Sequence, residues 1–407
     1  MKPTVILRAK LRLRSSALIF PLVIFTQLFM TLNVVLAQEP SPPPIAHNDA
    51  GLGISEEVPL RKAYRDDFFI GTSIPPLIYY TPSELSLLEK HFGAVTPENC
   101  MKPMFLQPEE GRFDFATSDV LVDGARSRGL MVNGHTLVWH AQTPEWVFRD
   151  GDHPAGRDLL LARMRAHIAT VAGHFAGKVQ SWDVVNEAID EGAGYLRPSP
   201  WLAGIGPDYA AEAFIAAHRA DPKAKLYYND YGIENTAKME KTLRFIRELK
   251  AKNAPIHGVG IQGHYQLDRI PFQEIEQAII AYHAEGLEVA ITELDIDVIT
   301  RASDGADISQ SEQQGEDRFA NGLPEEIQKR LADQYAALFT LYLKHRDKIS
   351  RVTFWGLHDG CSWLNHFPSK RTNHPLLWDR QLRPKPAFFS VLECARKHEQ
   401  AGPADAP

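Results

Sequence analysis

The sequence has little cysteine and lacks the common motifs that bind metals or phosphates. Its 407 residues include only three cysteines, Cys100, Cys361 and Cys394, which lie far apart and form neither a CxxC pair nor a cluster with histidines. This spacing argues against a structural zinc site, and we expect neither a metal nor a cofactor. A Cys361–Cys394 disulfide is conceivable in an oxidising compartment, but the odd count and the absence of a local signature favour buried free thiols.

An excess of positive charge is also absent. The formal net charge is −7, and no segment forms a stripe of lysine and arginine. Because nucleic-acid binding needs a basic face that neutralises phosphates, the composition argues against broad nucleic-acid binding and favours a neutral or weakly charged partner. With 44% hydrophobic residues, the chain can bury a large core, either in one barrel-sized domain or in up to three smaller ones.

The first 37 residues differ in composition from the remainder. They carry five basic residues and no acid, continue into an apolar stretch, and end in Val35-Leu-Ala37 before Gln38. This layout predicts a signal peptide over 1–37 and a secreted protein, extracellular or periplasmic. The alternative is an uncleaved membrane anchor, because 17–37 approaches the roughly 20 apolar residues that span a bilayer. Polar residues within the stretch and its small-residue end favour cleavage, after which we expect no membrane contact.

A proline-rich segment follows the predicted signal peptide. Residues 38–60 begin with Gln38-Glu-Pro-Ser-Pro-Pro-Pro44 and show no helical or strand periodicity, so we interpret them as a tether. We expect one catalytic domain over 61–400 and a C-terminal tail over 401–407. The domain is expected to be monomeric.

From residue 67 onward, short apolar runs alternate with longer amphipathic ones. The predicted strands are 68–72, 94–96, 130–138, 179–185, 225–228, 258–262, 289–294 and 352–355. Helical patterns include 82–92, 158–175, 208–220, 236–250, 272–284, 324–344 and 386–397. Eight βα units predict a single (β/α)8 TIM barrel. A doubly wound open sheet shows the same alternation, but its first strand would normally precede a glycine-rich phosphate loop, which is absent here.

Two glutamates close apolar strands of this pattern. Glu187 ends the run from Trp182, and Glu293 ends the run from Val289. The end of a buried strand is a poor position for packing a carboxyl and a good one for catalysis. Two carboxyls in different surroundings can act as a protonated acid and an ionised nucleophile or base, as glycoside hydrolysis requires. A single glutamate would be better explained as an exposed structural acid, but two at matching strand ends favour catalysis.

The surroundings of the two glutamates suggest different roles. Glu187 follows a strand that contains tryptophan, so partial desolvation is expected to raise its pKa. If His264 and Asp295 lie beside Glu293, a hydrogen bond from the imidazole would keep that carboxyl ionised. His135 and Trp182 lie within apolar strands and are interpreted as interior residues, whereas four tryptophans lie in or after strand ends and are candidates for stacking on sugar rings: Trp139, Trp146, Trp355 and Trp363.

Seven motifs together resemble family 10 of the glycoside hydrolases, the secreted endo-β-1,4-xylanases. They span almost the whole chain after residue 67, in the order that the family shows. The motifs are Thr96-Pro-Glu-Asn-Cys-Met-Lys102, Gly134-His-Thr-Leu-Val-Trp-His140, Trp182-Asp-Val-Val-Asn-Glu187, Tyr228-Asn-Asp-Tyr231, Gly260-Ile-Gln-Gly-His264, Ile291-Thr-Glu-Leu-Asp295 and Trp355-Gly-Leu-His-Asp-Gly-Cys-Ser-Trp363. Cys100 and Cys361 are local departures from the family pattern.

The resemblance implies a role for each matching residue. Glu187 corresponds to the acid/base and Glu293 to the nucleophile of a retaining double displacement on xylan and xylo-oligosaccharides. Asn186 would bind the 2-hydroxyl of the reacting sugar, while His264 and Asp295 would hold Glu293. Substrate-binding residues implied by the resemblance are Asn99, Lys102, His140, Gln262, Trp355 and Trp363.

Two other functions remain open from the sequence. A β-1,4-glucanase would use the same acids with a roomier pocket for the hydroxymethyl group of its sugar. Such a small difference in pocket volume discriminates only modestly between the two substrates. A catalytically inactive carbohydrate-binding barrel should have lost Glu187 or Glu293, and both are present. The polar segment 303–322 either covers part of the cleft or is a solvated loop, and long loops that are merely tolerated are common.

Overall fold

A computed structural model of the protein describes residues 58–299 and 317–401. The predicted signal peptide, nearly all of the tether, most of the segment 303–322 and the tail after residue 401 lie outside these ranges. Within the described ranges, no helix is both long and apolar enough to cross a membrane.

Eight parallel strands form a closed barrel. They are β1 (Phe69–Ile74), β2 (Ala94–Pro97), β3 (Met131–Trp139), β4 (Ser181–Asn186), β5 (Lys225–Asp230), β6 (Gly258–Ile261), β7 (Glu288–Asp297) and β8 (Ile349–Phe354). Each strand pairs in parallel with the next, and β8 pairs with β1 to close the ring. The predicted (β/α)8 barrel is therefore confirmed, with strand bounds within a few residues of those expected.

One main helix follows each strand. The helices are α1 (Pro82–His91), α2 (Ala116–Ser127), α3 (Arg157–His174), α4 (Tyr209–Ala220), α5 (Thr236–Ala251), α6 (Phe272–Ala284), α7 (Glu325–Lys344) and α8 (Pro386–Ala401). Shorter elements lie in the loops, including helices Leu60–Ala63, Pro103–Leu106 and Pro200–Ile205 and strand His264–Gln266, which pairs with β7. The helical patterns named from the sequence did not include α2.

Helix α2 has an unfavourable residue at its N-cap position and another in its interior. Its N-cap residue Phe115 provides no side-chain hydrogen bond, and Gly124 lies inside the helix. Glycine lowers helix propensity. Close packing favours it here, because a Cβ at residue 124 would lie 2.7 Å from Leu77 Cδ1 of the turn that packs against the helix, and the leucine side chain would have to move.

The barrel interior contains both large rings and satisfied polar groups. Trp182 is fully buried, as expected for an interior residue, and occupies the space that a Cβ on Gly134 would need, 2.2 Å away. His135 is also interior, with Nδ1 3.0 Å from Asp183 Oδ2. All three cysteines are free thiols, as expected, but only Cys100 is buried, whereas Cys361 and Cys394 are partly exposed.

Candidate active site

The residues predicted to form the site meet at the carboxyl ends of the barrel strands. Asn186 is the last residue of β4 and Glu187 follows it, while Gln262 directly follows β6. Glu293 lies within β7, and Trp355 directly follows β8. Because the strands are parallel, these ends form one rim, which is where TIM-barrel enzymes place their active sites.

Glu187 is buried and held by two hydrogen-bond donors. Trp139 Nε1 donates to Glu187 Oε2 over 2.8 Å, and Gln262 Nε2 donates to Oε1 over 3.1 Å. His140 Nε2 lies 4.0 Å from Oε2. Burial raises the pKa of Glu187 above its usual range. The two hydrogen bonds act to lower this pKa, and the negative charge of Glu293 acts to raise it further. This environment favours a protonated carboxyl that can serve as an acid.

Glu293 is equally buried but surrounded by stronger donors. Asn229 Nδ2 donates to Oε1 over 2.8 Å, and His264 Nε2 lies 3.2 Å from Oε2. Burial alone would raise the pKa of Glu293, but the hydrogen bond from His264, the charges of His135 and His264, and the bond from Asn229 outweigh it and lower the pKa. The carboxyl is therefore held ionised.

Asp295 supports the charge of His264. Its Oδ1 lies 2.9 Å from His264 Nδ1, and its Oδ2 accepts a 2.8 Å hydrogen bond from Trp363 Nε1. Burial would lower the pKa of His264, but the charge of Asp295 and hydrogen bonds to Asp295 and Glu293 raise it to about 10. The imidazole is thus a cation near neutral pH and donates to both carboxylates.

Asn229 joins the two halves of the site. Its Nδ2 donates to Asn186 Oδ1 over 2.9 Å and to Glu293 Oε1 over 2.8 Å, while Thr292 Oγ1 donates to its Oδ1 over 2.6 Å and fixes the orientation of the amide. Asn186 Nδ2 is buried and has no hydrogen-bond partner among the described residues. A buried donor of this kind is costly unless a ligand satisfies it.

A second polar group lies beside the two glutamates. Lys102 Nζ donates to Asn99 Oδ1 over 3.1 Å and to Gln142 Oε1 over 2.9 Å, and lies 5.0 Å from the centre of the Trp139 ring. Burial lowers the pKa of Lys102, although the negative charges of Glu98, Glu293 and Glu187 act to raise it. An array of fixed amides and one ammonium suits neutral hydroxyl groups as ligands.

The aromatic residues have different surroundings from one another. Trp363 is only partly buried and stacks on Phe367, with ring centroids 4.9 Å apart and an interplanar angle of 18°. Trp355 is buried and lies edge-on to His135, 5.6 Å away. Trp139 is buried too, and its indole N–H donates to Glu187, so its side chain acts as a hydrogen-bond donor to a carboxyl rather than as an open stacking surface.

The contacts of three site residues were not predicted from the sequence. Asn229 and Gln142 had no assigned role, and Trp139 was expected to stack on sugar rings rather than to donate a hydrogen bond. Strand register provides a signal for one of them, because Asn229 of β5 is directly paired with Asn186 of β4. Gln142 has a positive φ of 46° in the loop after β3, and no sequence pattern indicates that conformation.

One group of three potential metal ligands lies among the described residues, formed by Glu84, His358 and Cys361. The backbone N–H of Gly360 donates to His358 Nδ1 over 3.1 Å, so the ring proton of a neutral imidazole is on Nε2. That nitrogen lies 2.9 Å from Glu84 Oε1 and 3.1 Å from Cys361 Sγ. These contacts satisfy the ring with a hydrogen bond and leave no lone pair for a metal, so the donor set does not fit one.

Comparison with known proteins identifies close relatives over most of the chain. The model of "Glycosyl hydrolase family 10" matches residues 59–394. An endo-1,4-beta-xylanase of Geobacillus stearothermophilus is 43% identical over 338 residues, covering 82% of this chain and 97% of that protein. A protein of Acetivibrio thermocellus named an exoglucanase is 37% identical over 352 residues, covering 84% of this chain and 30% of that protein.

Solved structures show the same relationship. The structure of an endoxylanase of the same family, retrieved from a sugarcane soil metagenome, has a TM-score of 0.78 and 40% sequence identity to this chain. The match covers 83% of this chain and 99% of that one.

Proposed function

The chain belongs to glycosyl hydrolase family 10, and we propose that it is an endo-1,4-β-xylanase that hydrolyses internal β-1,4 bonds of xylan with retention of configuration. The observation that carries the proposal is the opposite tuning of two buried carboxyls on one rim. The pKa of Glu187 is raised, mainly by burial, while the contacts of Glu293 with His264, His135 and Asn229 overcome burial and lower its pKa. Xylan and xylo-oligosaccharides are the substrates.

Each carboxyl has its own step in the proposed reaction. Glu293 attacks the anomeric carbon, while Glu187 gives its proton to the glycosidic oxygen, so the C–O bond breaks and the leaving chain departs as an alcohol. Glu187, now ionised, takes a proton from water as that water attacks the anomeric carbon. The ester bond to Glu293 breaks, and both carboxyls return to their starting states. No cofactor takes part in these steps.

The remaining site residues hold the substrate and the nucleophile. In this proposal, Asn186 donates to the 2-hydroxyl of the reacting sugar, and its support is that Asn186 Nδ2 is buried and has no hydrogen-bond partner among the described residues. Such a bond strengthens as the ring flattens toward an oxocarbenium ion. Asn99, Lys102, His140 and Gln262 bind further hydroxyls, and Trp355 and Trp363 form apolar walls.

Reducing-sugar release tests the proposed substrate. The mature protein is expected to act on xylan and to show little activity on carboxymethyl cellulose under the same conditions. Because one relative carries an exoglucanase name, cellulose is the discriminating substrate. Comparable activity on both substrates would assign a glucanase, and activity on neither would assign a binding protein.

The acid side of the pH profile tests the support of Glu293. Replacing Asp295 with asparagine removes the charge that raises the pKa of His264 to about 10, so His264 becomes less cationic and the pKa of Glu293 rises. Because the nucleophile must be ionised, activity is present above its pKa and lost as pH falls through it. The acid limb of kcat/KM is therefore expected at higher pH in Asp295→Asn than in the wild type. An unchanged acid limb in a folded variant would contradict this role.

We also propose that the protein is secreted and acts as a monomer. The basic, apolar and small-residue order of residues 1–37 supports secretion. A mature protein that begins at Gln38 is expected, and N-terminal sequencing of the exported product checks it.

A further inference from the structure

The backbone at Glu187 has an unusual conformation. Its φ is 56°, in the left-handed region that non-glycine residues seldom adopt. Such a conformation persists only where neighbouring contacts hold it, and it is common at functional sites. The contacts that hold the peptide groups around Glu187 therefore bear on where its carboxyl lies.

Two consecutive amides after Glu187 meet one phenol. The N–H groups of Ala188 and Ile189 both donate to the Tyr228 hydroxyl, over 3.0 and 3.1 Å. The Tyr228 side chain is fully buried, so no solvent can replace it as the acceptor. The Glu187 carbonyl oxygen, in the same peptide group as the Ala188 N–H, accepts a 3.1 Å hydrogen bond from Arg197 Nε. On the other side of Glu187, its own N–H donates to Asn229 O over 2.9 Å.

The direction of these bonds fixes where the phenol proton goes. A tyrosine hydroxyl has one proton to donate, and here its oxygen already accepts from two amides. The proton is therefore donated to Asp230 Oδ2. The other oxygen of Asp230 accepts from Lys238 Nζ over 2.9 Å and from the N–H of Tyr231 over 2.8 Å.

A buried ion pair thus stands behind the phenol. Asp230 is fully buried and Lys238 is 6% exposed. Lys238 Nζ also donates to Tyr231 O over 2.6 Å and lies 4.0 Å from the centre of the Tyr231 ring. Burying two charges is costly, and the mechanism above uses neither of them. Asp230 contacts the Tyr228 hydroxyl, and both Asp230 and Lys238 contact the backbone of Tyr231, just after β5.

We propose that Tyr228, held by the Asp230–Lys238 ion pair, is a positioning residue for Glu187. By accepting the Ala188 and Ile189 amides, it sets the peptide plane that follows Glu187 and keeps the carboxyl directed at the glycosidic oxygen. The inference rests on the proposed function, because it assigns Glu187 as the acid. Neither Tyr228 nor Asp230 touches the substrate.

The role predicts a selective defect in Tyr228→Phe. Misplacing a catalytic group by about 1 Å can reduce the rate about 100-fold, so kcat/KM for xylohexaose is expected to fall about 10- to 100-fold. For 2,4-dinitrophenyl β-xylobioside, whose leaving group departs without a proton, kcat/KM is expected to stay within about threefold of wild type. The kcat/KM values are compared because they report the steps up to and including cleavage of the glycosidic bond, in which Glu187 acts only as an acid.

Two further variants make the test specific. Tyr64→Phe removes a tyrosine hydroxyl that is equally buried and donates to Val391 O over 2.6 Å, far along the chain from the site. This control should leave kcat/KM unchanged for both substrates. In Asp230→Asn, the amide oxygen must face Lys238 and the Tyr231 N–H, so the NH2 group faces the Tyr228 hydroxyl and breaks that bond with almost no change of shape. It should reproduce the selective loss of Tyr228→Phe.

An equal loss on the two substrates, or no loss on xylohexaose, would overturn the positioning role. If Tyr228→Phe fails to fold, Asp230→Asn decides, and failure of both to fold would show a role in the fold alone. Failure of the proposed function gives a different result. In that case, the wild type does not cleave xylohexaose, or Glu187→Ala cleaves it at the wild-type rate.

Discussion

Replacing Glu293 with glutamine is expected to reduce kcat on xylan by about 10⁴-fold or more, the scale seen when a catalytic nucleophile is removed. The amide keeps the size of the side chain and can still meet His264 and Asn229, but it cannot attack the anomeric carbon. The loss should be alike on xylohexaose and on 2,4-dinitrophenyl β-xylobioside, because both need the nucleophile.

Glu288→Gln provides a matched control for this variant. Glu288 is the first residue of the same strand, at the opposite end of the barrel, and bonds to Lys225 and Tyr227. Its replacement should leave kcat within about twofold of the wild type, as for most substitutions remote from a catalytic site. A Glu293→Gln protein that retains a few per cent of activity, with its thermal unfolding unchanged, would contradict the nucleophile assignment.

Replacing Glu187 with alanine is expected to slow cleavage of xylohexaose by about 10²- to 10⁴-fold, the usual contribution of general acid–base catalysis. Dinitrophenyl xylobioside should still transfer its sugar to Glu293, because its leaving group needs no proton, and the glycosyl-enzyme should then accumulate for lack of a base. Added azide, which attacks without losing a proton, should release xylobiosyl azide of β configuration and restore turnover.

The two glutamate variants serve as controls for one another. Azide should restore turnover of the dinitrophenyl substrate in Glu187→Ala and should fail to yield the β azide in Glu293→Gln, which forms no glycosyl-enzyme. Mass spectrometry of the products distinguishes these outcomes. Azide rescue in neither variant, or in the Glu293 variant alone, would require the two roles to be reassigned.

The barrel was predictable because its signal is repeated. Eight apolar runs separated by amphipathic segments leave few other arrangements, and the observed strands agree with the predicted ones to within a few residues. Helix α2 was not among the helical patterns named from the sequence. Gly124 lowers its local helix propensity, and packing against Leu77 favours that glycine. Tertiary contact overrides local propensity at this point.

Predicting the site from the sequence succeeded where one strand end supplies one residue. Glu187 directly follows β4, Glu293 and Asp295 lie in the carboxyl-terminal part of β7, and His264 comes shortly after β6, so the rim brings them together. The contacts between neighbouring ends could not be predicted. The double donation by Asn229 and the bond from Trp139 to Glu187 depend on barrel register and side-chain orientation, and the left-handed φ of Glu187 depends on the peptide groups around it.

The anomeric configuration of the first product tests the account most directly. Proton NMR of xylohexaose during its first minutes of hydrolysis resolves the α and β anomers before they interconvert. Double displacement through Glu293 predicts that the β anomer appears first. Early appearance of the α anomer would show a single displacement, with a carboxyl spacing of about 6.5–9.5 Å rather than about 5–5.5 Å, and would contradict the roles assigned to both glutamates.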